Sequence, residues 1–187
     1  MKHTRPLDDH PELVLIEASA WREYRVHTKA SQRLSVGHFW FDGVVGLALA
    51  YFWSWAIASK LKVAVTTASL LAYVHSRLTQ VIWESVVIFP SLGIQLETHR
   101  GLGGFSLTAS RTFIPWSALE DFLINEGIRG WDIRYYLVAI TRTSQGPVRL
   151  EVAFENILPR FRILHEIYHG VQDALRTESE RASDTEN

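Results

Sequence analysis

The sequence contains no cysteine, which excludes disulfides, thiolate metal sites and cysteine nucleophiles together. It contains no Asn-x-Ser/Thr sequon, so nothing marks a glycosylated, lumenal domain. It carries no surplus of positive charge: 19 Lys and Arg stand against 20 Asp and Glu, and the net charge of -1 implies no nucleic-acid partner. G-x-S-x-G, Walker A and D-x-D strings are absent, which removes the common signatures of acyl transfer, nucleotide hydrolysis and nucleotide-sugar chemistry. Isolated carboxylates such as Glu120 and Asp121 read as surface residues, so no catalytic site and no cofactor is expected.

What is present divides into segments of different character. Residues 1–11 are charged, hold two prolines and are expected to be disordered; residues 12–38 hold short apolar pieces suited to strands. Residues 39–83 are hydrophobic, residues 84–176 read as a compact α+β domain, and the polar stretch 177–187 is expected to be disordered.

Within the hydrophobic region, Gly43–Ala58 is free of charge and Leu61–Val74 contains only Lys62, with Ser59-Lys60 as a polar break between them. At ~1.5 Å per helical residue these runs reach roughly 20–25 Å, against a hydrocarbon core of about 30 Å. Both are apolar around the whole circumference, and Trp40, Trp53, Trp55 and Trp83 stand near their ends. The expectation is a helical hairpin in the membrane, spanning a thin bilayer or re-entrant, in preference to one buried in a soluble core. Arg22, Arg25, Lys29, Arg33 and Arg77 flank it and Lys60 and Lys62 lie at its turn, which favours cytosolic termini. The apolar run starts too far from Met1 for a signal peptide.

The following segment alternates as strands do. Val86–Phe89 leads into Leu92, Ile94 and Leu96; Arg100-Gly101-Leu102-Gly103-Gly104 reads as a turn, and Phe105–Ile114 returns. Pro115-Trp116-Ser117 interrupts the ladder and suits a helical turn. Phe122–Ile128 resumes as a strand, and Trp131–Ile140 is apolar on both faces, as a central strand is. Gln145-Gly146-Pro147 turns the chain into Val148–Phe154. A helix follows, with Asn156 as a candidate cap, Pro159 in its first turn, and Phe161, Leu164, Tyr168, Val171 and Leu175 at helical spacing. The expected architecture is a small antiparallel sheet closed by a C-terminal amphipathic helix, similar in element order to a pleckstrin-homology-like domain.

Two strings resemble catalytic motifs. His165-Glu166-Ile167-Tyr168-His169 matches H-E-x-x-H, whose two histidines hold zinc while the glutamate activates water. Here both histidines fall beside the apolar arc and no third ligand follows at a fitting distance, so a solvated helix face is favoured and no metal is expected. Gly101-Leu102-Gly103-Gly104 lies between two strands, not before a helix, and reads as a hairpin turn rather than a phosphate loop.

Several motifs in one order resemble the PIG-H family. Glu84-Ser85-Val86-Val87-Ile88 with Ser91–Thr98 is similar to its opening motif, and Ile124-Asn125-Glu126-Gly127-Ile128 to its central I-N-E-[AG]-I. Tyr135-Tyr136-Leu137, then Phe154, Pro159-Arg160 and Ile167-Tyr168, resemble the closing pattern, while Trp21-Arg22-Glu23-Tyr24 falls where the family has it. The resemblance covers about residues 20–176. It implies a non-catalytic subunit of the endoplasmic-reticulum complex that transfers GlcNAc from UDP-GlcNAc to phosphatidylinositol on the cytosolic face, the first step of GPI-anchor synthesis. Its implied partners are a catalytic glycosyltransferase subunit, the other membrane subunits and membrane lipid. Asn125, Glu126, Gly127 and Arg160 are the candidate subunit-docking residues, with a strand end and a solvated helix start as the plain alternatives. The H-E-x-x-H string gains no support from the family pattern. A stand-alone lipid-binding module and a membrane metalloprotease are the competing functional classes.

Overall fold

A computed structural model describes residues 2–28, 36–56, 58–102, 105–142 and 146–185. Lys29 and Arg33 of the basic flank, Gly103-Gly104 of the expected turn and Gln145 lie outside the described residues.

Three strands come first: β1 (Lys2–Thr4), β2 (Leu13–Glu17) and β3 (Arg22–His27). Helices α1 (Val36–Tyr51), α2 (Trp53–Ala56) and α3 (Lys60–Leu78) follow. The chain then returns as β4 (Val81–Phe89), β5 (Gly93–Leu102) and β6 (Phe105–Pro115). A 3-10 turn at Trp116–Ala118 leads into β7 (Leu119–Arg129), β8 (Asp132–Thr141), β9 (Arg149–Ala153) and the long helix α4 (Phe161–Thr185).

The strands form two antiparallel sheets, β1-β2-β3-β4-β5-β6 and β7-β8-β9. The single small sheet expected after residue 84 is therefore corrected. β3 pairs with β4 from Arg22↔Ile88 to His27↔Trp83, so the helices are an insertion between two neighbouring strands. Alternation explains the arrangement: Leu13, Tyr24, Val26, Val86, Ile88 and Ile94 are buried and join one core. β8, apolar on both faces, lies between β7 and β9. Phe122, Leu137 and Ala139 of the small sheet enter the same core, and α4 closes it with Ile163, Leu164, Ile167 and Val171. Tyr168 and Leu175 pack at its edge.

The membrane hairpin is also corrected. Among the described residues no helix is long and apolar enough to cross a membrane. α1 has only 16 residues, about 24 Å at the helical rise. α3 has 19, but they include Lys60, Lys62, His75 and Arg77 together with four Ser and Thr. Asp42 is paired within the protein: the Tyr73 hydroxyl and the Arg77 guanidinium both donate to it, the latter at 2.6 Å, tying α1 to α3. The apolar side chains of this pair nonetheless face outward; α3 has no buried residue, and Trp40, Leu47, Tyr51 and Leu61 are exposed.

Candidate functional site

The central motif residues sit on β7, held against β8 by the register Asn125↔Tyr136, Glu126↔Tyr135 and Gly127↔Arg134. Asn125 donates from its amide to the Tyr136 hydroxyl at 3.2 Å and accepts from the Glu126 backbone N–H at 2.8 Å. Gly127 leaves room for the Tyr136 ring; a Cβ there would stand 3.0 Å from Tyr136 Cε1.

Asn125 and Glu126 line a groove of about 430 Å³ with Leu123, Ile124 and Tyr135 on one side and Phe161, His165 and Tyr168 of α4 on the other. Tyr135 and Phe161 meet edge to face, with ring centroids 5.0 Å apart. Leu137 is fully buried, but toward the hairpin tip Tyr135, Ile133 and Trp131 become steadily more exposed, at 39%, 60% and 105%. Ile128, paired with Ile133, is exposed too. The apolar face that α4 covers further along the sheet thus runs on, uncovered, beyond the helix's first residue, Phe161. Exposed apolar surface of that kind marks an interaction site. Arg160 is exposed immediately before α4, beside Phe161, and its carbonyl accepts the Ile163 and Leu164 backbone N–H groups. Asn125 and Glu126 are therefore brought together in the groove, Gly127 flanks it, and Arg160 stands at its helical rim.

Sequence reasoning missed the groove's aromatic partners and the device that fixes α4. Glu84, 2% exposed, accepts hydrogen bonds from the Thr98 hydroxyl at 3.0 Å, the Asn156 amide at 2.6 Å and the Ile157 backbone N–H at 3.0 Å. Asn156 is consequently not the helix cap, and α4 starts five residues later. Phe154 and Leu158 take φ values of 60° and 47°, a left-handed conformation costly for side chains of this size. Glu84 holds the connection in that shape. The available signal was a carboxylate at a core-facing strand position. Further along α4, Gly170 admits the buried ring of Tyr24; a Cβ would lie 2.5 Å from Tyr24 Cζ. Burial raises the Tyr24 phenol pKa, with Arg22 acting against it.

A second polar cluster lies across β3, β4 and β5. Trp83 stacks on His99 with centroids 3.5 Å apart, the Arg25 guanidinium sits 4.0 Å from the Trp83 ring, and Arg25 pairs with Glu23 at 2.9 Å. Burial works to raise the Glu97 carboxyl pKa, but hydrogen bonds from His99 and Gln95, with Arg111 nearby, outweigh it and hold the group below its ordinary range. Burial, aided by Arg25, lowers the His27 pKa. For H-E-x-x-H, both histidines are exposed on α4 while Glu166 is half-buried, and no group of three or more potential metal ligands converges among the described residues.

Comparison with known proteins bears on this region directly. Residues 85–155, from β4 through the groove strands to the start of the Glu84-held connection, match the family described as "GPI-GlcNAc transferase complex, PIG-H component". The chain belongs to the PIG-H family. Among its PIG-H relatives, a phosphatidylinositol N-acetylglucosaminyltransferase subunit of Mus musculus is 31% identical over 114 residues, covering 59% of this chain and 57% of the mouse protein. The Homo sapiens counterpart is 30% identical with the same coverage. The transferase subunit gpi15 of Schizosaccharomyces pombe is 29% identical over 150 residues, covering 78% of this chain and 86% of the yeast protein. The chain thus spans just over half the length of the mammalian PIG-H proteins. No solved structure matches.

Proposed function

We propose that this chain is a non-catalytic subunit of a phosphatidylinositol N-acetylglucosaminyltransferase, acting on the cytosolic face of the endoplasmic reticulum in the first step of GPI-anchor synthesis. The carrying observation is the PIG-H match over residues 85–155, with relatives named as subunits of that enzyme. The chain's role is to dock and position the catalytic subunit, which binds UDP-GlcNAc and carries out the transfer to phosphatidylinositol.

The groove supports this reading. Asn125 and Glu126, from the family's central motif, lie where β7 and β8 offer an uncovered continuation of the hydrophobic core. A partner that inserts apolar side chains against Tyr135 and Phe161 would bury that surface, with Glu126 and Arg160 as polar contacts at its rim. Interface energy concentrates in such aromatic anchors. Asn125 and Gly127 then serve by shaping the strand: one braces Tyr136, the other gives its ring room.

The test is capture of the catalytic subunit by the tagged full chain, wild type against Phe161→Ala and Tyr135→Ala together. Both side chains are partly exposed, so the fold survives their removal, which circular dichroism checks. Wild type should bring down GlcNAc-transfer activity and the double variant should lose most of it. Equal activity in both captures removes the groove as the docking surface.

A further inference from the structure

His165 and His169 are four residues apart on α4, and their Nε2 atoms converge to 3.1 Å. The ring centroids are 4.3 Å apart at 78°. Each ring is steadied by an aromatic neighbour: Phe161 lies 5.8 Å from His165, and Tyr168 lies 5.6 Å from His169. Both imidazoles are exposed, so an ion from solvent reaches them unhindered.

We propose that this pair is a two-nitrogen binding site for a borderline divalent transition-metal ion such as Zn²⁺. The argument is geometric. At a Zn–N distance of ~2.05 Å, two nitrogens 3.1 Å apart subtend about 98° at the metal, between the octahedral and tetrahedral angles. The rings need almost no movement to chelate. Imidazole suits Zn²⁺, Cu²⁺ and Ni²⁺ and not the harder Mg²⁺ or Ca²⁺, which take oxygen ligands.

Without metal the same contact is an Nε2–H···Nε2 hydrogen bond, one ring protonated at Nε2 and the other at Nδ1. Binding moves the first ring's proton to Nδ1, leaving both Nε2 lone pairs for the ion, so no net proton is released from two neutral rings. The remaining coordination positions stay open to water or an incoming ligand. Because His165 also lines the groove, the ion would sit at its rim. This is not the zinc-protease arrangement: Glu166 is half-buried, its charge felt by Tyr24, and it does not share the histidines' exposed position.

Zn²⁺ titration calorimetry on the full chain tests this, comparing wild type with His165→Gln, His169→Gln and the distant His75→Gln. One ion should bind per chain, with either α4 variant weaker by about 100-fold through loss of chelation and His75→Gln unchanged. Affinity should also fall with acid, since protons compete for the rings. Imidazole NMR supplies an independent reading: Zn²⁺ should shift the Nε2 signals of these two rings together. Wild-type binding no tighter than either variant, or shifts that spare these rings, would show a hydrogen-bonded pair only and overturn the proposal.

Discussion

Replacing Glu84 with alanine removes the acceptor that joins β4, β5 and the connection into α4. Three donors lose their partner: the Thr98 hydroxyl, the Asn156 amide and the Ile157 backbone N–H. A hydrogen bond to a charged group contributes about 1.5–3 kcal/mol, and a buried donor left unpaired costs about 1–3 kcal/mol. Thr98 can turn to another acceptor and Asn156 can reach water, so the sum is not additive. The backbone N–H of Ile157 has no such freedom, and the left-handed residues Phe154 and Leu158 lose the contact that fixes them. The net destabilisation expected for Glu84→Ala is about 4 kcal/mol, a large fraction of the stability of an ordinary domain. At ~2–4 °C per kcal/mol for a chain of this length, the melting temperature falls by roughly 8–16 °C. Glu84→Gln keeps the volume and two acceptor contacts but sets an N–H₂ against one donor, and should cost about 2 kcal/mol. Urea unfolding followed by far-UV circular dichroism reads both values. Asn156→Ala, combined with Glu84→Ala, should show coupling of about 1 kcal/mol or more. Variants within ~0.5 kcal/mol of wild type would refute the reasoning, since that is what a neutral surface change gives.

Other consequences follow from the same packing. Gly170→Ala places a methyl group against the buried Tyr24 ring; overpacking of about 1–3 kcal/mol should exceed the ~1 kcal/mol gained in helix propensity, and thermal unfolding should show a net loss. Gly170→Ala combined with Tyr24→Ala should recover part of it. His27 and Glu97 both have depressed folded pKa values, so their contributions are present above the unfolded values and fade as pH falls. Stability should therefore decline first below about pH 6.5, through His27, and again below about pH 4.5, through Glu97, with His27→Gln flattening only the upper part of the profile. Asp42→Asn weakens the Arg77 and Tyr73 contacts that tie α1 to α3, and hydrogen exchange in those helices should rise while the sheets are unchanged.

Local patterns carried much of the fold. The alternation in Leu92–Glu97, the two-faced Trp131–Ile140 and the helical spacing from Phe161 to Leu175 each correspond to an element in its expected class. Long-range pairing was less legible. Leu13–Ile16 and Trp21–Val26 read as strands, but nothing local shows that β3 pairs with β4 across more than 50 intervening residues. The apolar helices misled because lipid-facing and simply exposed helices share one composition. Their lengths and polar interruptions, which the structure fixes, leave no helix able to cross among the described residues. The motif at Asn125–Gly127 was visible in sequence, whereas its groove was not, because Phe161 and Tyr168 arrive from another element. Glu84 opens a family motif, but its role depends on donors 14 and 72–73 residues away.

Membership of the transferase is the central claim, and add-back to membranes lacking this chain tests it most directly. GlcNAc transfer from UDP-GlcNAc to phosphatidylinositol should be lost in those membranes and restored by the wild-type chain. Undiminished transfer in its absence would contradict that membership.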